Sequence, residues 1–372
     1  MIGYLARGIA QGSKGGGDKR PPVEVPGSAA YIHKQWQARI NQAIAPKPAR
    51  AQVAVPEPAV LEGKPTQPAA QVRTRAEIDG AQVLDYTRSF LKRYAIFPSE
   101  SALTAVTLWV AASHARDAGG TLIWREFPRL GLFSSEPGSG KSRVLELLAL
   151  LCPNVPGIES EPSEPAVATM IGKEHVTLLL DEADILFSSG RRKAAVRAII
   201  NAGYKRGGTW SRVRSGKVER IPVYGALAMA GLDVLEKGTG STLEALLQRF
   251  IIVRMRKAVG NPPAKPREVL GRDNRGRDIT GEDFATNLRD KLEAWTVQEG
   301  ETLASLTPEM PPGVELRQEE LWTALLAVAE TAGGHWQETA WEACTDMSLY
   351  GGTPDTTQED MDLLGDLSAG WE

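Results

Sequence analysis

One stretch constrains this chain more than any other: LGLFSSEPGSGKSRVLELLALL, residues 130–151. A short apolar run leads into a loop holding two glycines, and then into a stretch whose Val144, Leu145, Leu148 and Leu151 recur at helical spacing. Gly138 and Gly140 let the backbone curl around Ser139 until several N–H groups aim at one place, and the N-terminus of the following helix adds the positive end of its dipole. Such a curl holds anionic oxygens. Lys141 is placed to reach the outer phosphates of a nucleoside triphosphate, and the Ser142 hydroxyl to ligate Mg²⁺.

The P-loop pattern GxxxxGK[ST] expects glycine where this chain has Ser135, which predicts a less tightly turned loop entrance. Taken alone, the segment also fits a glycine-rich turn with a chance lysine. A second segment, HVTLLLDEAD at residues 175–184, argues against chance, because it sets a buried strand directly before two acids. Asp181 at the strand end would hold Mg²⁺ through water, and Glu182 would orient and deprotonate an attacking water. Asp184 should point away from that pair and act as a local cap or as a group that supports the pair from behind. ATP and Mg²⁺ are therefore the expected ligands, and ATP hydrolysis the expected chemistry.

The rest of the chain is organised around this centre. Apolar residues make up 42% and charged residues 24%, enough to bury a substantial core. The net charge of −3 excludes a uniformly basic nucleic-acid coat but says nothing about local patches. Two cysteines, Cys152 and Cys344, and four scattered histidines give neither a zinc pattern nor a disulfide framework, which fits a reducing cytoplasm. The longest apolar stretch, near residues 103–113, is too short to span a bilayer, and the first residues lack the apolar core of an export signal. No membrane partner is expected.

Residues 1–75 form a Pro- and Ala-rich basic arm with the composition of a disordered tether, interrupted by an island at residues 28–45 with helical spacing. Residues 76–127 read as a helical collar whose second helix opens at Pro98-Ser99-Glu100. Residues 128–258 alternate apolar runs with amphipathic helices, the pattern of a parallel sheet covered on both faces, a three-layer α/β core. Residues 259–350 read as a Pro-rich connector and a helical lid, and residues 351–372 as an acidic tail with six acids and no base.

Four further features bear on function. The segment TWSRVRSGKVERIPVYG alternates with period two around Ser215-Gly216 and predicts a β-hairpin. Trp210, Arg212 and Arg214 share one face, with Lys217 and Arg220 nearby, a set suited to a single-stranded phosphate backbone and a base to stack on, or else an incidental charge cluster on a solvated hairpin. Arg249 and Phe250 stand where a helix meets the strand FIIVRM, a stretch that resembles the AAA+ ATPase motif in which an arginine followed by phenylalanine reaches the neighbouring subunit's γ-phosphate; the alternative is a salt bridge at a helix end. By the same resemblance, the strand VYGALAMA lies where AAA+ proteins carry a polar sensor residue yet offers Ala228, Met229 and Ala230, and Arg317, at the start of RQEELWTALLAVAE, is a candidate second sensor touching the γ-phosphate from the lid.

With YAIFPSESALTAVTLWVA, SEPGSGKS, LLLDEAD, INAGYKRGGTW, LLQRFIIVRMR and ELWTALLAVAETAGGHW in view, the chain resembles the domain of unknown function 3631 family from about residue 78 to 345. The resemblance implies an AAA+-like P-loop ATPase of phage or mobile-element DNA replication, a hexameric helicase or single-strand translocase in a bacterial host's cytoplasm. It leaves room for a nucleotide-gated loader or scaffold that recruits replication proteins through the basic arm or the acidic tail, where Met361, Leu363, Leu364, Leu367 and Trp371 sit among acids.

Overall fold

The computed structural model describes residues 77–187, 191–232, 246–257, 263–273 and 276–349. The basic arm with its 28–45 island and the acidic tail lie outside the described residues. The chain divides into two units. The smaller one, among the described residues, is Gly271–Asp278, closed on itself by ion pairs from Arg272 to Asp278 and from Arg277 to Asp273, each 2.8 Å. The larger unit carries the sheet and the helices.

The sequence sets where the helices begin. Asp79 caps α1 (Gly80–Tyr94) by accepting the Gln82 N–H, and Ser99 caps α2 (Glu100–His114) by accepting the Ala102 N–H at 3.1 Å. Thr280 and Asp283 form a reciprocal capping box at the head of α7 (Gly281–Gln298). Between them lie α3 (Lys141–Leu151), α4 (Glu164–Glu174), the one-turn α5 (Ala183–Phe187) and α6 (Arg191–Ala202). After α7 come α8 (Gly300–Ser305), α9 (Arg317–Ala332) and α10 (Trp336–Leu349).

Five strands form one parallel sheet: β1 (Arg129–Ser134), β2 (Ile158–Ser160), β3 (Leu178–Asp181), β6 (Leu227–Leu232) and β7 (Phe250–Arg254). Their order is β2-β3-β6-β1-β7, so β6 lies between the strand leading to the glycine-bearing loop and the strand ending in the acids. Register pairs Leu130 with Ala228 on one side and with Ile251 on the other. Because side chains alternate along a strand, each strand feeds two cores. Leu130, Leu132, Leu179, Ala228, Ala230, Ile251 and Val253 pack toward α1, α2, α3, α7, α9 and α10. Phe133, Leu178, Leu180, Leu227, Met229 and Phe250 pack toward α4, α5 and α6. The result is an α/β architecture with helices on both faces. The three-residue β2 gave no apolar pattern in the sequence, since its side chains are exposed or half-exposed.

The apolar stretch within α2 is a buried helix. Thirteen of its residues are shielded, because α1, α7, α9 and α10 all pack on it. The helices that the sequence separates into an N-terminal collar and a C-terminal lid are therefore neighbours in one core. Trp109, Trp295, Trp322 and Trp336 are fully buried there, and Trp109 donates its indole N–H to the Pro128 carbonyl at 2.8 Å. Truncating such a ring costs about 3–5 kcal/mol. Among the described residues no helix is long and apolar enough to cross a membrane.

The predicted hairpin forms from β4 (Thr209–Arg214) and β5 (Lys217–Pro222), antiparallel, with Ser215 and Gly216 both at positive φ in the two-residue turn. Its base packs on α4 and α6. Gly172 of α4 is required by that contact: a Cβ there would lie 1.9 Å from the Pro222 carbonyl oxygen. β8 (Val269–Arg272) and β9 (Asp278–Thr280) form a separate two-stranded ribbon.

Candidate functional site

Parallel strands put all their C-terminal ends at one edge of a sheet, and a site at that edge draws on the loops that follow them. Here the loop after β1 turns through Gly138 (φ 78°) and Gly140 (φ 87°), the second of which is the N-cap of α3. Neither glycine is forced by crowding: a Cβ at Gly138 would meet nothing within 4 Å, and at Gly140 only a methyl group 3.8 Å away. Backbone conformation demands them. Ser135 keeps a negative φ, which explains why this position tolerates a side chain.

Lys141 folds back over this loop, donating to Ser134 Oγ at 2.8 Å, Ser139 Oγ at 3.1 Å and the Glu136 carbonyl at 3.2 Å. Ser139 is itself buried and donates to Ser134 Oγ at 2.8 Å. Partial burial holds the Lys141 ammonium below the ordinary lysine range, against the opposing pull of Asp181, Asp184 and Glu136. A group that leans on three neutral oxygens can exchange them for charged ones at a gain.

The acid strand arrives at the same place. Ser142 Oγ donates to Asp181 Oδ2 at 2.8 Å across a sequence separation of 39, and the other oxygen of Asp181 accepts the Glu182 N–H at 2.9 Å. Glu182 is exposed and has φ 55°, a left-handed conformation that costs a non-glycine residue on the order of 1–2 kcal/mol. That backbone turn aims Glu182 off the strand tip. Asp184 stands apart from the pair: its Oδ1 accepts the Leu232 N–H at 3.2 Å and so ties β6 to α5. A Cβ on Gly231 would sit 2.8 Å from the Asp184 nitrogen. Ala228, Met229 and Ala230 are all buried within β6, and at the tip of β6 the Leu232 backbone N–H donates to the Asp184 side chain.

One oxygen ligand from Ser142 and one carboxylate from Asp181 suit a hard cation that keeps most of its shell as water or phosphate oxygen. Among the described residues no group of three or more His, Cys, Asp or Glu gathers as a metal site, and Cys152 and Cys344 are buried free thiols.

Beside the loop lies a cleft of about 700 Å³, walled by Ala95 and Ile96 from the α1–α2 connection, Gly138–Gly140, and Lys257 with Pro263–Lys265. Ile96 is 43% exposed on its wall. Ala95, Ile96, Lys257 and Pro263–Lys265 escaped the sequence reading because they lie far in the chain from the glycine-bearing loop, and no spacing rule links them to it.

The remaining residues singled out in the sequence lie elsewhere. Arg249 precedes β7, and its backbone carbonyl accepts the Arg129 N–H at 2.9 Å, so it stands at the opposite, N-terminal edge of the sheet. Its guanidinium lies over the Tyr204 ring, 5.8 Å from the centroid. Arg317 is at that edge too, paired with Glu320, whose carboxylate also takes Lys205 at 3.2 Å and the Tyr204 hydroxyl at 3.4 Å. On the hairpin, Trp210 packs half-buried against the second core, and Arg212 is 2.7 Å from Glu219 and lies over the Trp210 ring. Arg214 and Lys217 stay exposed at the tip, while Arg220 pairs with Ser211 on the opposite face.

A family model described as a protein of unknown function (DUF3631) matches residues 274–371. The match supports the resemblance to that family and bears on no activity. It spans α7–α10 and excludes both the glycine-bearing loop and the acid strand, so of the marks quoted above only ELWTALLAVAETAGGHW falls inside it. No curated protein matches the chain.

Proposed function

We propose that this chain is a P-loop ATPase that binds Mg-ATP between residues 138–142 and the Asp181–Glu182 pair and hydrolyses it. The single observation that carries the reading is the 2.8 Å hydrogen bond from Ser142 to Asp181, because hydrolysis of a nucleoside triphosphate requires those two side chains on one cation. The loop amides and the N-terminus of α3 hold the phosphates, and Lys141 gives up its three loop oxygens for the β- and γ-phosphates. Glu182 accepts the proton of the attacking water. Bound Mg²⁺ neutralises charge that develops on the phosphate oxygens. The cleft beside Ile96 and Ala264 is sized for the base and ribose. The test is release of inorganic phosphate from ATP by the full chain: turnover in the wild type and its loss in Glu182→Gln are expected, and equal turnover in both sinks the reading.

The work done with this energy is read as movement on single-stranded DNA by a homo-oligomeric ring, a helicase or translocase of phage or mobile-element replication. The exposed Arg214 and Lys217 at the hairpin tip support it. One observation favours the other reading, a loader or scaffold that recruits replication proteins: Trp210 and Arg212, half of the expected DNA grip, are engaged within the fold. Stimulation of turnover by single-stranded DNA separates them, being expected of a motor and absent from a scaffold.

A further inference from the structure

Among the described residues that line the nucleotide cleft, Glu268 is the one acid. Its own turn fixes it. The Glu268 carboxylate accepts the Lys265 N–H on Oε1 at 3.1 Å, and the Glu268 N–H donates to the Lys265 carbonyl at 2.9 Å. Within that turn the Pro266 carbonyl accepts the Glu282 N–H of α7 at 3.0 Å. The end of α1 is locked onto the same place: a Cβ on Gly281 would collide with both the Tyr94 hydroxyl and the Pro266 carbonyl, so only glycine lets the three meet. Tyr94 ends α1 and leads directly into Ala95 and Ile96, which wall the cleft. The two walls are therefore fixed to each other, and the acid has a set position on one of them. Among the described residues its second oxygen, Oε2, accepts no hydrogen bond.

We propose that Glu268 selects the base of the nucleotide, accepting the 6-amino group of adenine on Oε2. The inference rests on the ATPase reading above and concerns the base alone. In that reading Ala264 flanks the base, and Glu268 closes the turn that follows Ala264 on the same wall, so its carboxylate meets the edge of the ring rather than the phosphates. Adenine presents a single amino donor at position 6, whereas guanine presents an oxygen there with donors beside it. A pair of donors calls for both oxygens of a carboxylate, and Oε1 is already engaged by the Lys265 N–H. One open oxygen matches one amine. It also faces the guanine oxygen as lone pair against lone pair, so the same residue attracts one base and rejects the other. Ile96 and Ala264 offer apolar surface that fits any purine alike. Because Glu268 is exposed, water competes for its carboxylate, which holds the discrimination to about ten- to a hundredfold.

Competition against a fluorescent ATP analogue, with Mg²⁺ and the full chain, reads this without turnover. The competitors are ATP, GTP, dATP and purine riboside triphosphate, which carries hydrogen in place of the 6-amino group. Wild type should bind ATP about ten- to a hundredfold more tightly than either GTP or purine riboside triphosphate. In Glu268→Gln and Glu268→Ala the loss should fall on ATP, bringing it within about threefold of the analogue that lacks the amine. The glutamine variant keeps a carbonyl for the Lys265 N–H and guards against an alanine variant whose turn has come apart. Equal wild-type affinity for ATP and purine riboside triphosphate overturns the proposal, as does a preference for GTP or a preference for ATP that survives in both variants. A ratio of ATP to dATP that collapses in the variants while the amine ratio holds also overturns it and assigns the acid to the ribose. Each of these outcomes leaves the ATPase reading standing. If no nucleotide displaces the analogue from wild type, or the analogue itself does not bind, the ATPase reading fails and the proposal with it.

Discussion

The two edges of the central sheet use similar residues under different constraints. At the C-terminal edge a loop that needs left-handed glycines sets one lysine over neutral oxygens and brings one serine against one aspartate, so donors and acceptors are matched in number and held within a few ångströms. At the N-terminal edge long side chains, Lys205 and Arg317, meet on Glu320, and an exposed leucine flanks them. The first arrangement is nearly complete within one chain. The second ties long side chains from distant segments, Lys205 and Arg317, to the one carboxylate of Glu320. A cluster built from turns is closed by residues near one another in the chain, whereas one at the far ends of the strands is closed by side chains from distant segments.

Perturbing one edge at a time breaks or sharpens this contrast. Replacing Glu182 by Gln should lower turnover by about 10²–10⁴-fold while leaving ATP bound, measured by phosphate release against analogue binding. Arg249→Ala, at the other edge, should cost on the order of a thousandfold in turnover with binding intact, and mixing with Glu182→Gln should recover activity. Lys141→Ala should instead weaken ATP binding by about a hundredfold, as expected for losing charge-assisted hydrogen bonds worth about 3 kcal/mol in total, read by titration of a fluorescent analogue.

A fourth prediction touches the packing under both edges. His114 is buried, with Nε2 2.8 Å from the Leu151 carbonyl and Nδ1 without a partner, and burial pushes its pKa down from 6.5 to about 4. The unfolded chain takes up this proton below 6.5 and the folded chain only near 4, so stability is full above that window and falls as pH drops through it. The loss approaches about 3 kcal/mol at its lower end. Urea unfolding at pH 7 and pH 4.5 checks this, and His114→Gln should flatten the difference. The smallest effect is at the hairpin tip. Reversing Arg214 and Lys217 to Glu should reduce DNA binding several-fold and lower its salt dependence by about two counter-ions, with ATP turnover in the absence of DNA unchanged.

Much of this was legible in one dimension because its causes are local. Gly138 and Gly140 are needed for backbone reasons that a sequence displays, as are the Ser99 cap, the Ser215-Gly216 turn and the alternation that sends Leu130 and Phe133 to different cores. Period-two spacing also placed Trp210 and Arg212 on one face, but it had no means of showing Glu219 opposite Arg212 or the core beneath the tryptophan, since both depend on partners across a strand pair or from other elements.

By itself, then, the sequence determined the curl that follows β1, the acids that end β3, the layering of the sheet and the hairpin, all of which depend on residues near one another in the chain. Tertiary structure decided that Ser142 meets Asp181, that Arg317 stands with Arg249 at the far edge, and that helices from both ends of the described chain share one core. Those outcomes depend on how elements far apart in sequence stack and in which order their strands pair, and that order is set by the burial of whole faces, which no local pattern contains.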